Sequence, residues 1–224
     1  AWDWDALVHV FGEDVATRTR EALKAHWRAQ TPLMWSQRPQ AERNSVLNGW
    51  IWGLMGIAAE AEQSGWASRL TPAEARLAAA YAPIELNGFP DWLSQLAGAH
   101  PAAVEAAIGD EWSRECQVAC QHDHLPVVQN VAHGPIEVMR LLVPRAVRLL
   151  SEWSTVVNGD GPCDRGPHYL DDVIVTATRA ATDTERAAIA AICVTAFSAD
   201  VAGRWATSWL RGLMDTDLRQ GVAS

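Results

Sequence analysis

Apolar positions recur along this chain at spacings of three and four for most of its length, the period of amphipathic helices. Residues 13–30 place Val15, Thr19, Ala22, Leu23, His26 and Trp27 on one stripe, and Pro32 with Arg38-Pro39-Gln40 then marks a loop. From Ser45 to Gln63 the series Leu47, Trp50, Ile51, Leu54, Met55 and Ala58 predicts a central helix, with Trp52 and Ile57 spreading apolar surface to its sides. Gly49, Gly53 and Gly56 each weaken that helix by up to about 1 kcal/mol relative to Ala, so a neighbouring helix is expected to approach closely along them.

Thr71-Pro72-Ala73-Glu74 is the clearest start signal: an N-cap threonine, proline at the first helical position, and glutamate at the third. Leu77, Ala80, Tyr81 and Ile84 form the stripe of this helix, which Pro83 and Asn87-Gly88 end. A short helix from Pro90 turns Trp92, Leu93 and Leu96 inward. A longer one follows from Pro101 to Gln121, with Val104, Ile108, Trp112, Cys116 and Ala119 inward and Glu105, Asp110, Glu111 and Glu115 on its polar side. Pro126 opens a short apolar helix, and Gly134-Pro135 introduces a long stripe of Ile136, Met139, Leu142, Val143, Ala146, Val147, Leu150 and Trp153 that Pro144 should kink or split.

The β-branched run after Asp171-Asp172 resembles a strand, but Leu170, Val173, Ile174 and Ala177 fit the helical period and no partner strand is in sight, so helix is predicted. Asp183 and Glu185 open another helix through Ile189, Ile192, Ala196 and Phe197, and a last one carries Val201, Trp205 and Trp209. The expected fold is all-α: about nine to eleven helices stacked as antiparallel hairpins, in the manner of an α-solenoid. The turn-rich residues 158–167 suggest a boundary between a helical core, 1–157, and a C-terminal helical subdomain, 168–224, packed on it.

Composition narrows function mainly by exclusion. With 27 acidic against 18 basic residues among 224, and a net charge of −9, a general nucleic-acid binder is disfavoured, since phosphate binding needs a concentrated basic surface. No apolar run reaches the ~20 residues of a membrane span, and the Gly49/Gly53 spacing is therefore not a membrane dimerisation motif. Four cysteines, at 116, 120, 163 and 193, are too few and uneven for a disulfide framework, which points to reduced thiols in the cytoplasm. The chain opens at Ala1 without a methionine or a signal-peptide pattern and reads as a fragment of a longer protein. Its 12 tryptophans are scattered and serve chiefly as packing mass, each buried indole N–H needing an acceptor.

Candidate chemistry is sparse. Cys116, Cys120, His122 and His124 form one local group with metal-ligand side chains, although their spacing matches no standard zinc pattern. A metal-dependent hydrolase of the HD type would use His122-Asp123-His124 with His100 and a later aspartate, Asp171 or Asp172, to activate water. Residues 158–169 fail as a calcium loop, because Cys163 and Tyr169 stand where glycine and glutamate are required. Phosphate-loop, nucleophile-elbow and His-Glu-x-x-His motifs are lacking, and no cofactor is implied.

Arg20, Lys24 and Arg28 form a basic ridge at i, i+4 and i+8, and Arg140, Arg145 and Arg148 a second basic group. With Trp35, Trp52 and Trp66, which stand outside the predicted stripes, the first ridge supplies the candidate contact residues of a binding surface. A small-ligand site would instead require a tryptophan-lined cavity.

Ala41-Glu-Arg-Asn-Ser45, Leu70-Thr-Pro-Ala-Glu-Ala75 and Asn87-Gly-Phe-Pro-Asp-Trp-Leu93 followed by Ala99-His-Pro101 resemble HEAT-like helical regions of large multidomain bacterial proteins, including NACHT-type signalling NTPases. The resemblance covers roughly residues 1–150 and rests on helix rhythm and loop character. It implies a noncatalytic sensor or scaffold module that binds a protein partner or another domain of its own chain. The phosphate-binding loop of such a motor is absent from these residues, so the resemblance carries no ATPase activity with it.

Overall fold

A computed structural model describes residues 3–119, 124–156, 166–199, 203 and 205–221. Among them every regular element is helical, and thirteen α-helices follow one another with no strand. The chain divides into two compact units, Ala1–Ile108 and Gly109–Ser224, a division that falls inside the stretch assigned to a single core from sequence. Residues 158–165 of the turn-rich stretch, and Val201, lie outside the described residues.

The first unit begins with α1 (Trp4–Phe11), a helix the sequence reading did not anticipate, capped by Asp3, whose carboxylate accepts from the Ala6 N–H. Gly12, at φ +81°, turns the chain into α2 (Glu13–Ala29). The buried face of α2 runs through Ala16 and Trp27, with Val15 left 39% exposed, so the helix is rotated from the predicted stripe. Helix α3 (Asn48–Ala61) packs on it: Gly49 meets Gln30, Gly56 meets Leu23, and Ala59 meets Arg20, a falling series that makes the pair antiparallel. The close approach expected at the glycines is present, since a Cβ on Gly56 would stand 2.0 Å from the Leu23 carbonyl oxygen.

Next come α4 (Trp66–Arg69) and α5 (Pro72–Tyr81), the latter starting with the full reciprocal Thr71–Glu74 capping box. Tyr81, fully buried, places its hydroxyl 3.0 Å from the Gln30 carbonyl and 3.2 Å from that of Trp27, fastening α5 to the end of α2. Helices α6 (Trp92–Ala99) and α7 (Pro101–Val104) then lead into a π-helical turn, Glu105–Gly109.

The second unit begins with α8 (Asp110–Gln117); helical residues run unbroken from Pro101 through the π-helical turn to Gln117, so the long helix predicted from Pro101 is present and ends short of Gln121. After α9 (Pro126–His133) comes α10 (Ile136–Val156), which runs through Pro144 without splitting. Leu142, Val143 and Ala146 around the proline are fully buried, and this packing keeps both halves in one helix despite the lost backbone bond. Helix α11 (Gly166–Ala180) confirms the helical reading of the β-branched run, with Leu170, Val173, Ile174 and Ala177 all fully buried. Arg140 at the start of α10 reaches the Ala180 carbonyl at the end of α11, so these two also run antiparallel. Helices α12 (Asp183–Ala199) and α13 (Ala206–Gly221) complete the unit, Gly212 lying against Cys193 and Ile174. No helix of the described residues is long and apolar enough to cross a membrane.

Candidate functional site

Arg20, Lys24 and Arg28 share a face of α2, as their spacing requires, but that face is answered by carboxylates of the same unit. Arg28 donates through Nη1 and Nη2 to the two oxygens of Glu60, at 2.5 and 3.1 Å, and through Nε to Glu74 at 2.8 Å. Lys24 donates to Glu21 at 2.6 Å, and Arg20 pairs with Glu62 and the Ala59 carbonyl. Three cations therefore face four carboxylates, and the ridge presents no surplus positive charge. The bonds from Arg28 and from the Thr71 backbone and hydroxyl hold the Glu74 carboxyl down at about 2.

Lys24, Arg28, Glu21 and Glu60 line an open cleft of about 440 Å³ together with Trp66 and Arg69. Its polar groups are already engaged: Trp66 donates its indole N–H to Glu60 at 3.2 Å, and Arg69 donates to the Ser64 carbonyl and to Gln63.

The three candidate tryptophans separate. Trp66 and Trp35 are buried, the first edge-on to Trp92 at 5.8 Å and the second under the Arg43 guanidinium at 4.6 Å, so neither presents its ring outward. Trp52 is 51% exposed and stands edge-on to His26. Trp27, Trp92, Trp112 and Trp209 bury indole N–H groups for which the described residues supply no acceptor, contrary to the expectation that each would find one.

Of the candidate metal ligands, Cys120, His122 and Asp123 lie outside the described residues. Cys116 is buried, and desolvation, with Glu115 and Asp172 nearby, pushes its thiol well above the ordinary range. His124 is exposed. His100 sets Nε2 2.9 Å from the Ala67 carbonyl, Asp171 accepts from Arg211 at 2.7 Å, and Asp172 lies 3.7 Å from His133. Among the described residues no three His, Cys, Asp or Glu side chains gather as a metal site.

In the second basic group Arg140 and Arg145 are engaged, and Arg148 is exposed. Arg140 pairs with Glu185 at 2.5 Å, and Arg145 with Asp110 at 3.0 Å and the Gly109 carbonyl at 3.2 Å.

Two features were missed from sequence. Glu111 and Glu115, assigned to the polar side of their helix, are both fully buried. One oxygen of Glu115 accepts the N–H groups of Val127 and Val128, both at 2.9 Å, while its other oxygen has no partner among the described residues. Pro126 has no N–H, so Val127 and Val128 carry the first free donors of α9 and the carboxylate caps that helix. Desolvation outweighs these bonds and, with Glu111 nearby, raises the Glu115 carboxyl to about 8. The pairing joins residues twelve and thirteen positions apart, beyond the reach of helical periodicity.

The other missed feature is α1. It has no buried residue although it is rich in apolar side chains: Val8 is 40%, Val10 66% and Phe11 61% exposed, and Val15, four residues further on in α2, is 39% exposed. The Asp3 cap and the Trp4, Leu7, Val8, Phe11 spacing are its readable signals.

No family model, no curated protein and no solved structure gives a significant match to this chain.

Proposed function

We propose that the chain is a noncatalytic helical interaction module of a larger bacterial protein, working in the cytoplasm, and that α1 is the surface through which it binds a protein partner or a neighbouring domain of its own chain. The reading includes HEAT-like stacking of antiparallel hairpins, for which the α2/α3 and α10/α11 pairs are the material. One observation carries it: an eight-residue helix rich in apolar side chains lies on its unit without burying a single residue. Exposing Val8, Val10 and Phe11 costs hydrophobic stabilisation at roughly 25 cal/mol per Å², which covering by a partner would restore. The charged cleft supports the reading from the other side, since its cations and carboxylates already satisfy one another.

A photo-crosslinking amino acid at position 11 of the full protein, in the cells that make it, tests the proposal. A discrete partner or parent-chain segment should crosslink there and not at exposed Arg76 on α5. The purified partner should then bind the native protein at least tenfold more tightly than a Val10→Ser, Phe11→Ser variant. Equal crosslinking at both positions, or equal affinity for both proteins, would overturn the proposal.

A further inference from the structure

The charges around α1 name the chemistry of what covers it, an inference that rests on the interaction reading above. Between residues 3 and 17 the chain carries Asp3, Asp5, Glu13 and Asp14, all exposed, and no lysine or arginine. Asp3 is partly used in capping Ala6, and Asp14 pairs with Arg18 at 2.8 Å. Asp5 and Glu13 have no ion-pair partner among the described residues, and they bracket the exposed Val8, Val10 and Phe11 in sequence. The nearby cation, Arg20, lies over the Trp4 ring and is paired with Glu62, so it does not offset them.

An apolar strip with unneutralised acids at both ends repels an anionic membrane surface and a nucleic-acid backbone, and it also repels an acidic protein. It attracts a segment with apolar anchors flanked by Lys and Arg. Asp5, Val8 and Phe11 stand three positions apart and share one face of α1, whereas Val10, two positions from Val8, lies on another. A partner helix meets such an apolar pair with anchors at i and i+3 or i+4.

We propose that α1 and the first turn of α2 form a docking site for a basic amphipathic helix, with Val8 and Phe11 taking its apolar face and Asp5 and Glu13 its flanking cations. Fluorescence anisotropy of the full chain with a labelled 18-residue leucine–lysine helical peptide tests this, against a leucine–glutamate peptide of the same apolar pattern. The lysine peptide should bind at least tenfold more tightly than the glutamate peptide. Val10→Ser with Phe11→Ser, which leaves the charge unchanged, should weaken it at least tenfold, whereas Val194→Ser with Met214→Ser, removing comparable exposed apolar surface on α12 and α13, should not. Asp5→Asn with Glu13→Gln should weaken binding and flatten its dependence on salt.

Lysine-peptide binding that is indifferent to the position 10 and 11 substitutions would mean attraction to general acidity only and would overturn the site. So would equal affinity for both peptides, or binding of neither. Crosslinking at position 11 to a partner segment lacking basic residues would overturn the basic-helix assignment alone and leave the interaction reading standing.

Discussion

Gly53 lies beneath the ring of Tyr81, so close that a Cβ at position 53 would stand 2.3 Å from the Tyr81 Cε1. The Tyr81 hydroxyl sits against the Trp27 and Gln30 carbonyls, and the ring cannot withdraw without giving up that position. Gly53→Ala is therefore expected to destabilise the protein by about 3 kcal/mol through overpacking. Gly56→Ala, aimed at a backbone oxygen, should cost at least as much. Gly98→Ala in α6 meets nothing within 4 Å and should stabilise by about 0.5–1 kcal/mol from helix propensity alone. Urea unfolding of the three variants separates these outcomes, and equal effects at 53 and 98 would refute the close-packing argument.

Glu115 gives stability an unusual pH dependence. Its carboxyl is raised from 4.5 to about 8, so between those values the folded state keeps a proton that the unfolded state has released. Its contribution is fully present below 4.5 and is lost as pH rises through 8, by about 5 kcal/mol as an upper bound. Glu115→Gln retains an acceptor for Val127 and Val128 and removes the charge. The difference in unfolding free energy between variant and parent should grow in favour of the variant from pH 5 to pH 9. Parallel curves would show that the group titrates normally.

The same device starts a helix in each unit. Thr71 and Glu74 form a capping box whose glutamate accepts from Arg28 of α2, and Thr182 and Glu185 form another whose glutamate accepts from Arg140 of α10. Thr71→Ala and Thr182→Ala should each cost about 1 kcal/mol. Both glutamates are lowered from 4.5 to about 2, so their stabilisation is present above 4.5 and is lost as pH falls toward 2. Glu74→Gln and Glu185→Gln should reduce the loss of stability on acidification, measured by thermal unfolding between pH 5 and pH 2.

The residues explain why some of this was legible in sequence. The Thr71 start, the inward face of α11 and the close approach along the α3 glycines all follow from local spacing, which encodes caps and burial directly. Glu115 was misassigned because its compensation comes from another helix, and a carboxylate beside a core stripe otherwise belongs in solvent. The Arg20, Lys24, Arg28 ridge was correctly placed on one face, but periodicity along α2 says nothing about Glu60 and Glu74 arriving from α3 and α5. Trp66 failed as a surface anchor for a related reason: its ring packs on Trp92, 26 positions later, while its N–H reaches Glu60. Val15 was placed inward by its spacing from Thr19 and Ala22, whereas the buried face of α2 runs through Ala16 and Trp27.

Exposed side chains should also be dispensable for folding. Val10→Ser and Phe11→Ser are expected to change unfolding free energy by no more than about 0.5 kcal/mol, since both side chains are mostly exposed. A larger loss, read from the urea midpoint, would mean that these side chains support the fold.

The proposed role of α1 is tested most directly by the position 11 crosslink in the native cell, followed by affinity measurement with the purified partner. The account predicts one discrete product absent from position 76, and at least tenfold weaker binding once Val10 and Phe11 are serine. Indistinguishable products at positions 11 and 76, or unchanged affinity in the serine variant, would contradict it.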